Sequence, residues 1–284
     1  MSLGLQYKDD RHIFDEAGGN VPYLEYPMLR ETGIIRHGFS TRLGGVSEGC
    51  WASMNLSFER GDRPEAVMEN FRRIGAELGV RCEDMVLSQQ THTANVRVVT
   101  GADRGKGITR ERDYTDVDGL ITNEPGICLV TSFADCVPLY FVDPVKKAIG
   151  LSHSGWRGTV GKIGKRTVEM MGESFGSDPA DILAAVGPSV CMDCYEVSGD
   201  VIEKFRQVFD EKLWPELFYE KENGKCQLDL WKANELIFLE SGILPEHMAV
   251  TNLCTHCNSE ILYSHRAAGD KRGNLCAFLA LKEG

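Results

Sequence analysis

Three side chains able to ligate a soft metal stand at the ends of apolar, strand-like runs. His92 follows MVLSQQT, Cys136 follows TSFAD, and His153 follows KAIGLS. Two imidazoles and one thiolate give zinc three protein ligands and leave a fourth position open for water, the pattern of a catalytic rather than a structural site. The separations, 44 residues from 92 to 136 and 17 from 136 to 153, suit neither a zinc finger nor a ribbon. Neighbouring strands could nonetheless bring the three ends together. Taken singly, a buried cysteine or a hydrogen-bonded histidine is ordinary core chemistry.

Asp135 stands beside Cys136 in an otherwise apolar segment, where a carboxylate must be hydrogen-bonded or paired. It could orient a ligating histidine, hold a substrate amine or hydroxyl, or cap a turn. Several cations could take an anion. Arg157 lies in GWRGT at an expected helix start, and Arg42 precedes a glycine loop in FSTRLGG. YSHRAAGDKRGN gathers Arg266, Lys271 and Arg272, and such a group near a cleft suits phosphate. Two CxxC pairs also occur, Cys191–Cys194 and Cys254–Cys257. The 59 residues between them far exceed the ~15–20 of common zinc modules. The reading therefore favours packed segments over a second metal site, and no thioredoxin-like context supports a redox pair.

The elements that must position these residues are legible in outline. A strand is expected at GIIRHGFSTR (33–42), broken by LGGVSEG. Val67, Phe71, Ile74 and Leu78 recur at helical spacing, with Asp62 as expected cap and Gly79 as stop. MVLSQQTH and NVRVVT alternate like strands, residues 101–117 read as a polar surface loop, and GICLVTSF, VPLYFVD and KAIGLSH are β-rich. Further helices are expected at 159–174, 199–209 and 229–241, and strands at 181–187 and 275–282. Strands and helices mix without strict alternation, so the expected class is α+β, with mixed sheets flanked by helices. No linker divides the chain, and a single domain spanning 1–284 is expected.

Composition bounds the function. The 284 residues are 42% hydrophobic and 26% charged, ordinary for a globular protein. A net charge of −11 with no offsetting basic stretch argues against nucleic-acid backbone binding. No apolar run approaches the ~20 residues that cross a bilayer. The first residues, MSLGLQYKDDRH, lack the apolar stretch of a secretory signal, so a reducing cytoplasmic location is expected for the ten cysteines.

The ordered motifs RHGFSTRLGGVSEGCWASMNLSF, QQTH, DVDGLIT, FADCVPLYFVD, LSHSGWRGT, VGPSVCMDCYEV and YSHR resemble the laccase-domain family of the YfiH type, from about residue 33 to the end. The resemblance implies mixed β-sheets flanked by helices, a fold distantly shared with cysteine-dependent deamidase toxins. That family was first described as multicopper polyphenol oxidases and later as zinc-dependent purine nucleoside enzymes. The later description covers phosphorolysis of adenosine, inosine, guanosine and methylthioadenosine, with adenosine deamination alongside. The implied metal ligands are His92, Cys136 and His153. Purine nucleosides and phosphate are the implied partners, with Arg42 or Arg157 toward phosphate and Asn55, Tyr195 and Arg266 toward substrate. Asp135 is the candidate proton carrier. Seven histidines, none in His-x-His, are too few for a coupled multicopper cluster, so copper is expected only as an adventitious occupant. The rival reading makes Cys136 a nucleophile and His153 its base in a metal-free amide hydrolase.

Overall fold

The computed structural model describes residues 2–283. Among them, the strands in chain order are β1 (Asp15–Ala17), β2 (Tyr23–Glu25), β3 (Ile35–Ser40), β4 (Met85–Leu87) and β5 (Val96–Val98). β6 (Gly119–Thr122), β7 (Cys128–Phe133), β8 (Val137–Asp143), β9 (Ala148–Ser154) and β10 (Leu183–Val186) follow. The last five are β11 (Glu196–Val197), β12 (Phe218–Glu220), β13 (Cys226–Leu228), β14 (Met248–Val250) and β15 (Leu275–Leu281). They form two six-stranded sheets, ordered β1-β2-β3-β15-β7-β4 and β14-β10-β8-β9-β6-β5, and a small sheet β11-β13-β12. Both large sheets are mixed, with parallel pairs β4–β7, β5–β6 and β10–β14. The α+β expectation holds.

Period-two alternation explains how the sheets stack. On β15, Leu275, Ala277, Leu279 and Leu281 face a core shared with Tyr140, Val142, Ile149 and Leu151 of the second sheet. The alternate residues Cys276, Phe278 and Ala280 face outward, where Val67, Phe71, Ile74 and Leu78 of the helix Pro64–Leu78 cover them. On β8, Val137, Leu139 and Phe141 point the other way, beneath the helices Ile163–Phe175, Gly199–Arg206 and Leu230–Glu240. The result is four layers: helix, sheet, sheet, helices. Among the described residues, no helix is long and apolar enough to cross a membrane.

Two local details differ from expectation. Asp62 does not cap the helix Pro64–Leu78; its carboxylate accepts from the Arg63 N–H, Ser47 Oγ and Asn55 Nδ2. Gly79 does close that helix, in the left-handed conformation (φ 65°) that glycine adopts without strain. The helix expected at 159–174 is two helices, Trp156–Val160 and Ile163–Phe175, because Lys162 turns left-handed between them.

His37 is buried in β3, and its Nε2 accepts the Tyr26 N–H at 2.8 Å, so the folded state needs a neutral imidazole. Burial, with the Arg30 charge nearby, pushes its pKa down to about 4. The folded value lies below the unfolded one (~6.5), so the stabilisation is fully present above pH 6.5 and is lost as pH falls through 4. It amounts to roughly 3 kcal/mol. Urea midpoints of wild type and His37→Gln, compared between pH 7 and pH 4, are expected to converge as the pH falls; parallel curves would contradict the assignment.

Candidate metal and nucleoside site

Register on the second sheet fixes two of the three predicted ligands. β8 and β9 pair antiparallel with Pro138 opposite His153 and Val137 opposite Ser154, so Cys136, one residue before β8, lies across from Gly155. A Cβ at Gly155 would come within 3.1 Å of both Cys136 Sγ and His92 Cδ2. The absence of a side chain there is what lets the chain pass the site. The third ligand arrives from the first sheet. Beyond β4, Ser88 continues the parallel pairing through its N–H to the Val130 carbonyl, and Gln90 is clamped on both its amide atoms by the Ser132 backbone. His92 follows in a left-handed turn, φ 67°. The structure thus brings His92, Cys136 and His153 together, with their ligand atoms all within 4.8 Å of one another.

Asp118 holds this group in place. It is fully buried, and its carboxylate accepts the N–H groups of Thr91, His92 and Thr93 as well as His153 Nδ1 at 2.8 Å. That last bond commits Nδ1 as donor and leaves the His153 Nε2 lone pair toward Cys136 and His92. Burial alone would raise the Asp118 carboxyl, but His153 and the turn amides hold it below the usual carboxylate range. Burial likewise works against the Cys136 thiolate, yet the His153 and His92 imidazoles overcome it and hold the thiol at about 6. For His153, burial favours the neutral ring, while the Cys136 sulfur and Asp118 pull it up to about 9. On its own the donor set pairs a Cys136 thiolate with a His153 imidazolium, whose Nε2 proton a bound metal ion would displace to take the lone pair. The consequence is a sulfur already ionised at neutral pH, as a soft metal requires. The donor set, its spacing and the fixed tautomer fit a single divalent ion.

Two adjoining clefts, of about 760 and 700 Å³, meet at His92 and Cys136 and share Arg60 and Arg272. The first is walled by residues 107–112, so the segment expected to be a surface loop forms a face of the cleft. The second is walled by Asp135, Tyr195 and Arg266, with the Arg266 guanidinium 5.1 Å from the Tyr195 ring centre. Asp135 adopts φ 86°, and its oxygens accept from Thr255 Oγ1 and the Arg266 N–H, each at 2.6 Å. The carboxylate orienting His153 is therefore Asp118, while Asp135 tethers the C-terminal wall. Arg272 is buried, forms no salt bridge among the described residues, and has an Nε without a partner.

Three other predicted contacts lie outside both clefts. Arg42 spends its guanidinium on the carbonyls of Ala52 and Ser259 and stacks over Tyr263. Asn55 is fully buried and accepts the Asn274 N–H, supporting a cleft residue from behind. Arg157 is exposed, against Trp156. Residue types alone could not have flagged Asp118, since an acid in DVDG reads equally as a turn cap.

The sequence model described as multi-copper polyphenol oxidoreductase laccase matches residues 36–282. The chain belongs to this family. It is 38% identical to the purine nucleoside phosphorylase YlmD of Bacillus subtilis, covering 87% of this chain and 88% of that protein. It is 33% identical to the adenosine deaminase RL5 of an unknown prokaryotic organism, over 83% of this chain and 90% of that protein. The crystal structure of the YfiH protein of Bacillus licheniformis superposes with a TM-score of 0.90 at 32% identity, covering 96% of this chain and all of that one. The laccase-family label is at odds with the ligands. Among the described residues, groups able to hold a metal form in two places only, and neither is the histidine-rich cluster of a multicopper oxidase.

Proposed function

We propose that the chain is a zinc-dependent purine nucleoside enzyme, cleaving adenosine, inosine, guanosine or methylthioadenosine with phosphate and also deaminating adenosine. The carrying observation is Arg272, a buried cation with no acid partner, in the same cleft as His92, Cys136 and His153. Such a charge is costly to bury unless an anion completes it. The names of the relatives, phosphorylase and adenosine deaminase, support the same pair of reactions.

When bound by His92, Cys136 and His153, zinc supplies Lewis acidity that acidifies water and polarises a substrate oxygen. The protein's own groups do the rest. Asp118 keeps His153 in one tautomer and the 91–93 turn in one conformation. Arg272, with Arg60 beside it, holds phosphate near the anomeric carbon. A phosphate oxygen bonds to that carbon as the bond to the purine nitrogen breaks, and the base leaves as an anion that takes up a proton. Tyr195 and Arg266 offer the base an aromatic face and a cation on the other wall. In deamination, water adds at C6 of the purine and ammonia departs. Asp135 lies in that wall, and the tethering of both its oxygens argues for positioning rather than proton transfer.

Arg272→Gln is the test. Losing one charged hydrogen-bonding group is expected to raise KM for phosphate about 10–100-fold. Deamination of adenosine, which needs no phosphate, changes far less. Equal losses in both reactions would remove Arg272 from the phosphate site.

One observation favours a second reading. Cys136, His153 and Asp118 form a chain in which an ionised thiol meets an oriented imidazole, as in a metal-free thiol hydrolase. Chelation separates the two. Removing zinc abolishes purine turnover on the first reading and leaves amide hydrolysis intact on the second.

A further inference from the structure

The two CxxC pairs meet in space. β10 and β14 pair in parallel, Val186 opposite Val250, and the pairing extends to a bridge between Ser189 and Cys254. The segments that follow both strands therefore leave the sheet at the same edge. Each cysteine of the first pair stands 63 residues before its counterpart in the second. The long gap that argues against a compact zinc module is the length of a crossover that returns beside its own start. All four cysteines are free, and their sulfurs lie within 4.8 Å of one another.

We infer that Cys191, Cys194, Cys254 and Cys257 form a second, closed zinc site that is structural rather than catalytic. The sulfur spacing fits. Cys194 Sγ and Cys257 Sγ are 3.6 Å apart, close to the ~3.8 Å edge of a tetrahedron with Zn–S bonds of about 2.3 Å. The surroundings fit a thiolate cluster as well. The Cys191 N–H donates to Cys254 Sγ at 3.3 Å, and the N–H groups of Cys194 and Cys257 face the sulfurs at the head of their own pairs. Lys8, bonded to Asp193, brings a cation beside Cys191 and Cys257 to offset the negative charge of four thiolates. Cys191 and Cys254 are buried, while Cys194 and Cys257 are partly exposed, which gives an ion a way in.

The ion would act on the nucleoside cleft without touching its contents. Val190 donates its N–H to the Asp135 carbonyl, Thr255 donates to the Asp135 carboxylate, and Tyr195 follows Cys194 directly. Zinc at the four sulfurs ties together the two segments from which that wall of the second cleft is built.

The experiment is zinc quantification and X-ray absorption on protein purified under reducing conditions. Wild type is expected to carry two zinc ions per chain, with an average of about 2.5 sulfurs per zinc at about 2.3 Å. The His92→Ala/Cys136→Ser variant is expected to keep one zinc in an all-sulfur shell. Cys194→Ser/Cys257→Ser is expected to lose that ion and to melt about 5–10 °C lower. One zinc per wild-type chain with a single sulfur neighbour overturns the inference, and needs no variant to fold. So does alkylation mass analysis showing the four cysteines paired as disulfides in the reduced protein.

Discussion

Cys136→Ser is expected to lower purine product formation at least ~10³-fold and to remove one zinc ion per chain, a larger loss than the 10–100-fold typical of groups behind the ligands. The thiolate is the only soft donor of the three ligands, and at neutral pH it is already ionised by the two imidazoles around it. A serine hydroxyl in the same place stays protonated and contributes neither charge nor softness. Of the two remaining ligands, His92 is exposed and only His153 is held by a neighbour. The fold should survive, because Cys136 stands in the turn before β8 and none of the strand pairing passes through it. Metal content by mass spectrometry and product by chromatography read the outcome together. Retained zinc with lost turnover would mean that Cys136 acts as a nucleophile instead of a ligand.

Asp118→Asn is expected to weaken metal binding and turnover together by about 10–100-fold, although residue 118 is not one of the three candidate ligands and lines neither cleft. The carboxylate accepts three consecutive backbone N–H groups and His153 Nδ1. An asparagine has one acceptor oxygen, and its NH₂ must then face one of those donors. Either the 91–93 turn or His153 loses its partner, and His92 or His153 leaves its place. Competitive chelator titration reads the metal affinity. The sign of the role is also testable by pH, since without the carboxylate His153 loses one of the partners that pull its pKa up to about 9. An affinity within twofold of wild type would show that the ligands are positioned by the sheets alone.

Much of this site is written in the sequence because its ligands sit at strand ends. His153 closes an apolar run (147–153) that β9 matches to within one residue at each end, and Cys136 precedes one (137–143) that β8 reproduces residue for residue. Residue type and position therefore coincide, and a motif can be seen. What holds the ligands is less visible. Asp118 acts through three amides of a turn 25 residues away or more, and no local pattern records such a bond. Arg42 and Arg272 illustrate the same limit from opposite sides. Both are arginines near glycine-bearing turns, yet the guanidinium of one is consumed by carbonyls, while the other, held at one nitrogen by Gly273 and Asn274, is buried without an acid partner and with a free Nε. Spacing misleads for the CxxC pairs because a parallel crossover can make 59 intervening residues irrelevant to distance.

The order of the first sheet has a consequence for synthesis. Its last strand in sequence, β15, lies between β3 and β7, not at an edge. A chain emerging from the ribosome carries β3 and β7 early but cannot join them until residue 281 is free of the exit tunnel. Until then each presents an open edge, and the strand pairs that frame the ligands are of the long-range kind that form slowly. Completion of the sheet that carries the His92 turn, and with it assembly of the candidate metal site, is thus a late event in synthesis. Nascent chains stalled before residue 275 are expected to stay protease-sensitive and metal-free, however complete their set of His92, Cys136 and His153.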